Sequence, residues 1–214
     1  MSHLKPSHND DEIPPLTHRE DVAKTLASGK SLVNWIVTRQ NGLQVKSDGR
    51  ARIPASLLDL TLEHHAGIVL LVNSFVYASA FALVRVMFES FVRAVWLQLC
   101  ATPQQLETFI EKDTFDLHIG DMIDEIEKHE YFQDKVLSRL KKNSWKAMNG
   151  YTHGGLHQIA RRMKSGNIQP NYESEEVIEV LKMTGSLALM ATLQIARLAG
   201  NTNLEKEVNA KLNG

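Results

Sequence analysis

The sequence predicts an all-α protein, a single-domain multi-helix bundle with a long central antiparallel helix pair. Three observations predict it. Apolar residues recur at helical spacing through most of the chain, helix start and stop signals separate these runs, and no run alternates like a half-buried strand. With 214 residues, 43% of them hydrophobic and 23% charged, the chain can bury one substantial core.

Residues 1–18 read as a disordered N-terminal arm, 19–200 as the helical bundle and 201–214 as a C-terminal tail helix. The arm is polar, carries Pro14-Pro15 and lacks the basic-then-apolar order of a secretion signal. The first helix runs from near Arg19 to about Gln40 on Val22, Leu26, Val33 and Ile36, and Asn41-Gly42 ends it. The following LQVKSDGRARIPA reads as a loop grouping Lys46, Arg50 and Arg52, with Pro54 and Ser56 opening the second helix. A turn near Ser74 to Ser79 folds the long apolar stretch back as the third helix, ending at Cys100.

Thr102-Pro103 has the chemistry of an N-cap and first turn, giving a short helix to about Lys112. Phe115 to Lys128 is an amphipathic surface helix, and Tyr131 to Lys142 a short one whose closing lysines suit a helix C-terminus. Glu173, Glu175 and Glu176 supply an acidic first turn for a core helix from Ser174 to about Ala199, which Gly200-Asn201 stops. Leu204 to Leu212 is a polar tail helix.

A formal charge of -1 argues against a broadly basic surface for coating nucleic acid. Cys100 is the sole cysteine, so no internal disulfide forms and a reducing cytoplasm fits. Ala66 to Val84 holds no charge, but Asn73, Ser74, Tyr77 and Ser79 interrupt it and no Lys/Arg asymmetry flanks it, which speaks against a membrane span.

Two stretches carry chemistry. In FALVRVMFESFVRAVWLQLC, Arg85, Glu89 and Arg93 fall four residues apart, and with Trp96 they share a helical arc of about 80°. Apolar residues fill the rest of that circumference, so the three charges are expected in the interior, with Glu89 bridging two guanidinium groups and one positive charge left over. Such forks suit bidentate contact with phosphate or carboxylate; the alternative is a network that fixes helix register. In WKAMNGYTHGGLHQIARR, Gly150, Gly154 and Gly155 break a helical pattern, with Asn149, Tyr151, His153, His157 and Arg161 around the break. His153 and His157 have the spacing of a helical metal pair, but the glycines between them and the lack of a third ligand argue against zinc. No Glu-x-x-His pair of the di-iron type occurs, so no metal or other cofactor is expected. His64-His65 opens onto neighbouring helix faces and is assigned a surface or helix-packing role.

The Arg-x3-Glu-x3-Arg-x2-Trp spacing of SAFALVRVMFESFVRAVWL, together with NGYTHGG, resembles motifs of bacterial all-helical families of unknown function, over about Ser56 to Gly200. These look loosely similar to HEPN domains, helical bundles often found as ribonucleases in toxin and phage-defence systems. The catalytic Arg of that family, followed after four to six residues by a His, has no counterpart; Lys146 with His153 comes nearest.

The residues themselves point to a glycine-broken corner packed over the charged stripe, forming one pocket. Arg85, Arg93 and Arg161 would bind an anion, His153 would move protons, and Glu89 or Tyr151 would orient it. Trp96, Asn149, Gly154, Gly155 and His157 would support that arrangement. Two functions follow: a binding or interaction module, expected as a homodimer with a further protein as candidate partner, or a metal-independent enzyme acting on RNA or another phosphate-bearing ligand.

Overall fold

The computed structural model describes residues 18–46, 48–164 and 166–213. Apart from residue 18, the expected N-terminal arm lies outside the described residues. The architecture is all-α, with a long helix pair, α2 (Gly49–Asn73) and α3 (Tyr77–Leu99), at its centre.

The turn between them is local chemistry. Val76 N–H donates to Leu71 O at 2.8 Å and Phe75 N–H to Val72 O at 3.0 Å, closing the helix end with the paired bonds of a Schellman motif. That motif needs a left-handed residue, and here it is Phe75, at φ 61°. Its ring stacks on His18 with centroids 4.1 Å apart, a contact that offsets the conformational cost. A three-residue turn returns α3 along α2, and Leu83 packs over Gly67, 3.6 Å from where a Cβ there would lie. The uncharged stretch is therefore two helices; α2 and α8 (Ser174–Leu198) are long and apolar enough to cross a membrane, with 39% and 61% of their most apolar windows buried inside the fold.

α1 (Glu20–Gln40) lies on α2 and α8, where Gly29 approaches Val69 and Leu32 approaches Gly185. The core is shared by Leu58, Ile68 and Val72 of α2, Met87, Phe88, Phe91 and Val95 of α3, and Leu187, Ala188 and Ala191 of α8. Burying the larger of these side chains, the leucines, isoleucine, valines, methionine and phenylalanines, is worth roughly 1.5–3 kcal/mol each and supplies most of the stabilisation. α9 (Thr202–Asn213) docks through Leu204 and Val208, both buried.

Three boundaries and one added element differ from expectation. α2 begins at Gly49, five residues before Pro54, because Asp48 caps it by accepting from Ala51 N at 2.9 Å; Pro54 lies inside the helix. The expected amphipathic helix from Phe115 shrinks to α5 (Ile119–Ile126), since Asp113, left-handed at φ 51°, ends α4 (Pro103–Lys112) and the chain stays irregular until His118. Lys141-Lys142 ends nothing: α6 (Val136–Thr152) runs on through Trp145 and Met148, whose burial rewards another two turns. Between α7 (Leu156–Ala160) and α8, Met163–Lys164 and Asn167–Ile168 pair as a two-residue antiparallel hairpin that the sequence pattern did not announce.

Candidate functional site

Along α3 the four-residue spacing does what its geometry dictates. Glu89 accepts from Arg85 Nε at 2.7 Å through Oε1 and pairs with Arg93 Nη2 at 3.2 Å through Oε2, so one carboxylate bridges two guanidinium groups. The interior placement is corrected. Side-chain exposure is 22% for Arg85, 16% for Glu89 and 38% for Arg93, because α4, α5 and α6 stand around the stripe without covering it. The result is an open cleft of about 730 Å³.

Aromatic faces hold the cations. Arg85 lies over the Trp145 ring at 5.0 Å, Lys141 over the same ring at 5.7 Å, and Arg93 over Phe115 at 5.4 Å. Phe115 itself stacks on Phe109 at 4.4 Å. Arg93 Nε is buried and finds no acceptor among the described residues, an arrangement that costs about 1–3 kcal/mol for a polar group left unsatisfied.

The glycine-broken corner touches the stripe through one side chain. His153 caps the C-terminus of α6, and its Nε2 lies 2.6 Å from Arg85 Nη1. A guanidinium only donates, so Nε2 accepts and the ring proton sits on Nδ1. Three glycines place the ring. Gly154 takes φ 65°, which lets Gly155 N–H reach back to Gly150 O at 2.8 Å. Gly150 and Gly155 then approach so closely that a Cβ on Gly155 would meet Gly150 Cα at 3.1 Å, and one on Gly150 would meet the His157 ring at 2.9 Å. Thr152 Oγ1 adds a bond to Ala82 O at 3.2 Å, pinning the corner to α3.

The remaining expected site residues fall elsewhere. Tyr151 faces a second groove, of about 410 Å³, between α3, α6 and α8. Arg161 forms a two-pronged ion pair with Glu176, Nε to Oε2 at 2.8 Å, and so is occupied away from the stripe. Burial works to raise the Glu176 carboxyl, but the Arg161 bonds hold it below its ordinary value, while burial pushes the Tyr151 phenol up. His157 packs near Tyr151, ring centroids 6.1 Å apart. Trp96 is buried and donates to Glu125 Oε2 at 2.6 Å, fastening α5 to α3. Asn149 Oδ1 is buried without a donor among the described residues. The single pocket expected from the sequence is thus two, with α6 as their common wall.

Sequence reasoning missed Lys141, Trp145, Phe109, Phe115 and His118, all of which line the cleft. Lys141 and Trp145 are four apart and share a face of α6, a signal hidden by ending that helix at Lys142. No group of three or more His, Cys, Asp or Glu side chains among the described residues could hold a metal ion.

The profile of a family of unknown function (DUF6988) matches residues 58–213. The chain belongs to that family. The DUF6988 match begins inside α2 and so takes in the stripe, the glycine corner and the cleft lining apart from Leu57. No curated protein and no solved structure matches the chain.

Proposed function

We propose that the chain is a helical binding module whose Arg85–Glu89–Arg93 cleft receives an anionic ligand. One observation carries this reading: two guanidinium groups share a single carboxylate, and the surplus donor, Arg93 Nε, is desolvated without an acceptor. Calorimetric titration with inorganic phosphate and pyrophosphate at low ionic strength tests it. Binding that weakens as salt rises, and that disappears in Arg93→Met with unchanged helicity, is the expected result. No heat from either anion sinks the reading. Exposure of Leu156 and Ile168, each 83%, supports a second copy of the chain or another protein as partner, which sedimentation at two concentrations checks.

A second reading is favoured by the Arg85–His153 contact. An imidazole held through Nε2 by an arginine of the anion site keeps its Nδ1–H as a proton to give to the leaving oxygen of a phosphoester, so HEPN-like cleavage of RNA through the ribose 2′-hydroxyl, in a cytoplasmic toxin or phage-defence role, is the alternative function. Expression in bacteria would then slow growth and degrade RNA, and His153→Ala would restore both at unchanged melting temperature. Normal growth with intact RNA removes this second reading and leaves the first standing.

A further inference from the structure

Resting on the anion-binding reading, we propose that the cleft selects a phosphate monoester carried on a flat aromatic body, the chemistry of a mononucleotide or of a 5′-phosphorylated strand end. The first argument is charge. Arg85, Arg93 and Lys141 line the cleft against Glu89 and Asp113. Glu89 is committed to the two arginines, and Asp113 is exposed to water, where its field is screened. Lys141 has no ion-pair partner among the described residues, so two positive charges, its own and the excess of the stripe, face the cavity with little to oppose them. A monoester is close to a dianion at neutral pH, whereas a diester carries one charge.

The second argument is geometric. Arg85 and Lys141 both lie over Trp145, at 5.0 and 5.7 Å, so the stripe and the lysine converge on one region. Lys141 Nζ also lies close over Gly120, where an added Cβ would meet it at 2.7 Å, which places the ammonium against the α5 side of the same cleft. Donors from α3 and α6 can therefore reach different oxygens of one phosphoryl group, and a monoester offers three terminal oxygens against two in a diester.

The third argument is the wall. Phe109 and Phe115, stacked at 4.4 Å, line the cleft along with Leu57, Leu117 and Trp145. Inorganic phosphate makes no use of such a surface, but a nucleobase does, through stacking that tolerates any base. The cavity, about 730 Å³, accommodates a ligand of that size.

The test is calorimetric titration of the full chain with AMP, the 5′-phosphorylated dinucleotide pApA, 3′,5′-cyclic AMP, adenosine and inorganic phosphate at pH 7.5. AMP or pApA, representing the free and the strand-end source, is expected to bind about tenfold more tightly than cyclic AMP or inorganic phosphate, with adenosine weakest. Lys141→Met is expected to remove the preference for monoester over diester. Phe109→Leu, at the wall residue that holds no arginine, is expected to weaken AMP while leaving inorganic phosphate unchanged, which a general loss of structure would not do. Cyclic AMP or inorganic phosphate binding as tightly as AMP overturns this inference and leaves anion binding intact. Absence of binding by all the anions overturns both.

Discussion

The charged stripe of α3 and His65 of α2 lie on the two paired central helices, and folding treats them in opposite ways. Arg85, Glu89 and Arg93 keep part of their surface in water, and Glu89 bridges the two guanidinium groups while Arg93 Nε finds no acceptor among the described residues. His65 is 1% exposed and neither ring nitrogen has a partner among the described residues. Burial alone pushes its pKa down to about 4. The contrast teaches that a charge is admitted to the centre of a helix pair by leaving a cleft beside it, whereas a histidine is admitted by giving up its proton.

The largest effect expected from that contrast is a pH dependence. The unfolded chain protonates His65 near pH 6.5 while the folded chain resists until about pH 4, so the neutral ring contributes stability that is fully present above the unfolded value and is lost as pH falls. His65→Leu abolishes this linkage. Urea denaturation at pH 7 and pH 4 should show the variant gaining on the wild type by on the order of 3 kcal/mol across that interval. Parallel pH profiles for the two proteins would break the comparison on the histidine side.

A smaller effect is expected at the stripe. Glu89→Ala leaves two guanidinium groups facing each other, but water can reach both, so the cost is about 1–2 kcal/mol, below the 3–5 of a sequestered pair. A measured loss above that interval would mean that the stripe is closed off in solution. Arg93→Ala sharpens the point at the low end. It removes the more exposed arginine and the unpartnered Nε together, and chemical denaturation should register less than about 1 kcal/mol.

Local chemistry was legible and distant partnerships were not. Thr102 accepts from Gln105 N, and Gln105 Oε1 accepts from Thr102 N, the reciprocal cap that the Thr-Pro start implied. The α8 boundaries and the Glu89 bridge were equally readable, because each depends on residues within a turn or two. The openness of the stripe depends on how α4 and α5 are hung beside α3, and a helix's own periodicity does not encode how far its neighbours reach. Arg161 looked available in sequence because its acid, Glu176, lies beyond the hairpin at the start of α8. His153 was placed near the stripe by the motif, yet the atom it touches is Arg85 Nη1, at 2.6 Å, a detail set by the close glycine packing.

The α2–α3 turn has a kinetic corollary. Only Ser74, Phe75 and Val76 separate the two helices, so closing that loop costs the least chain entropy of any long-helix pairing here, and residues equidistant from Phe75, such as Gly67 and Leu83, meet without waiting for the rest of the chain. The pair is therefore the natural nucleus of folding. Substitutions in its seam should slow refolding, while those where α9 docks, such as at Val208, should chiefly hasten unfolding.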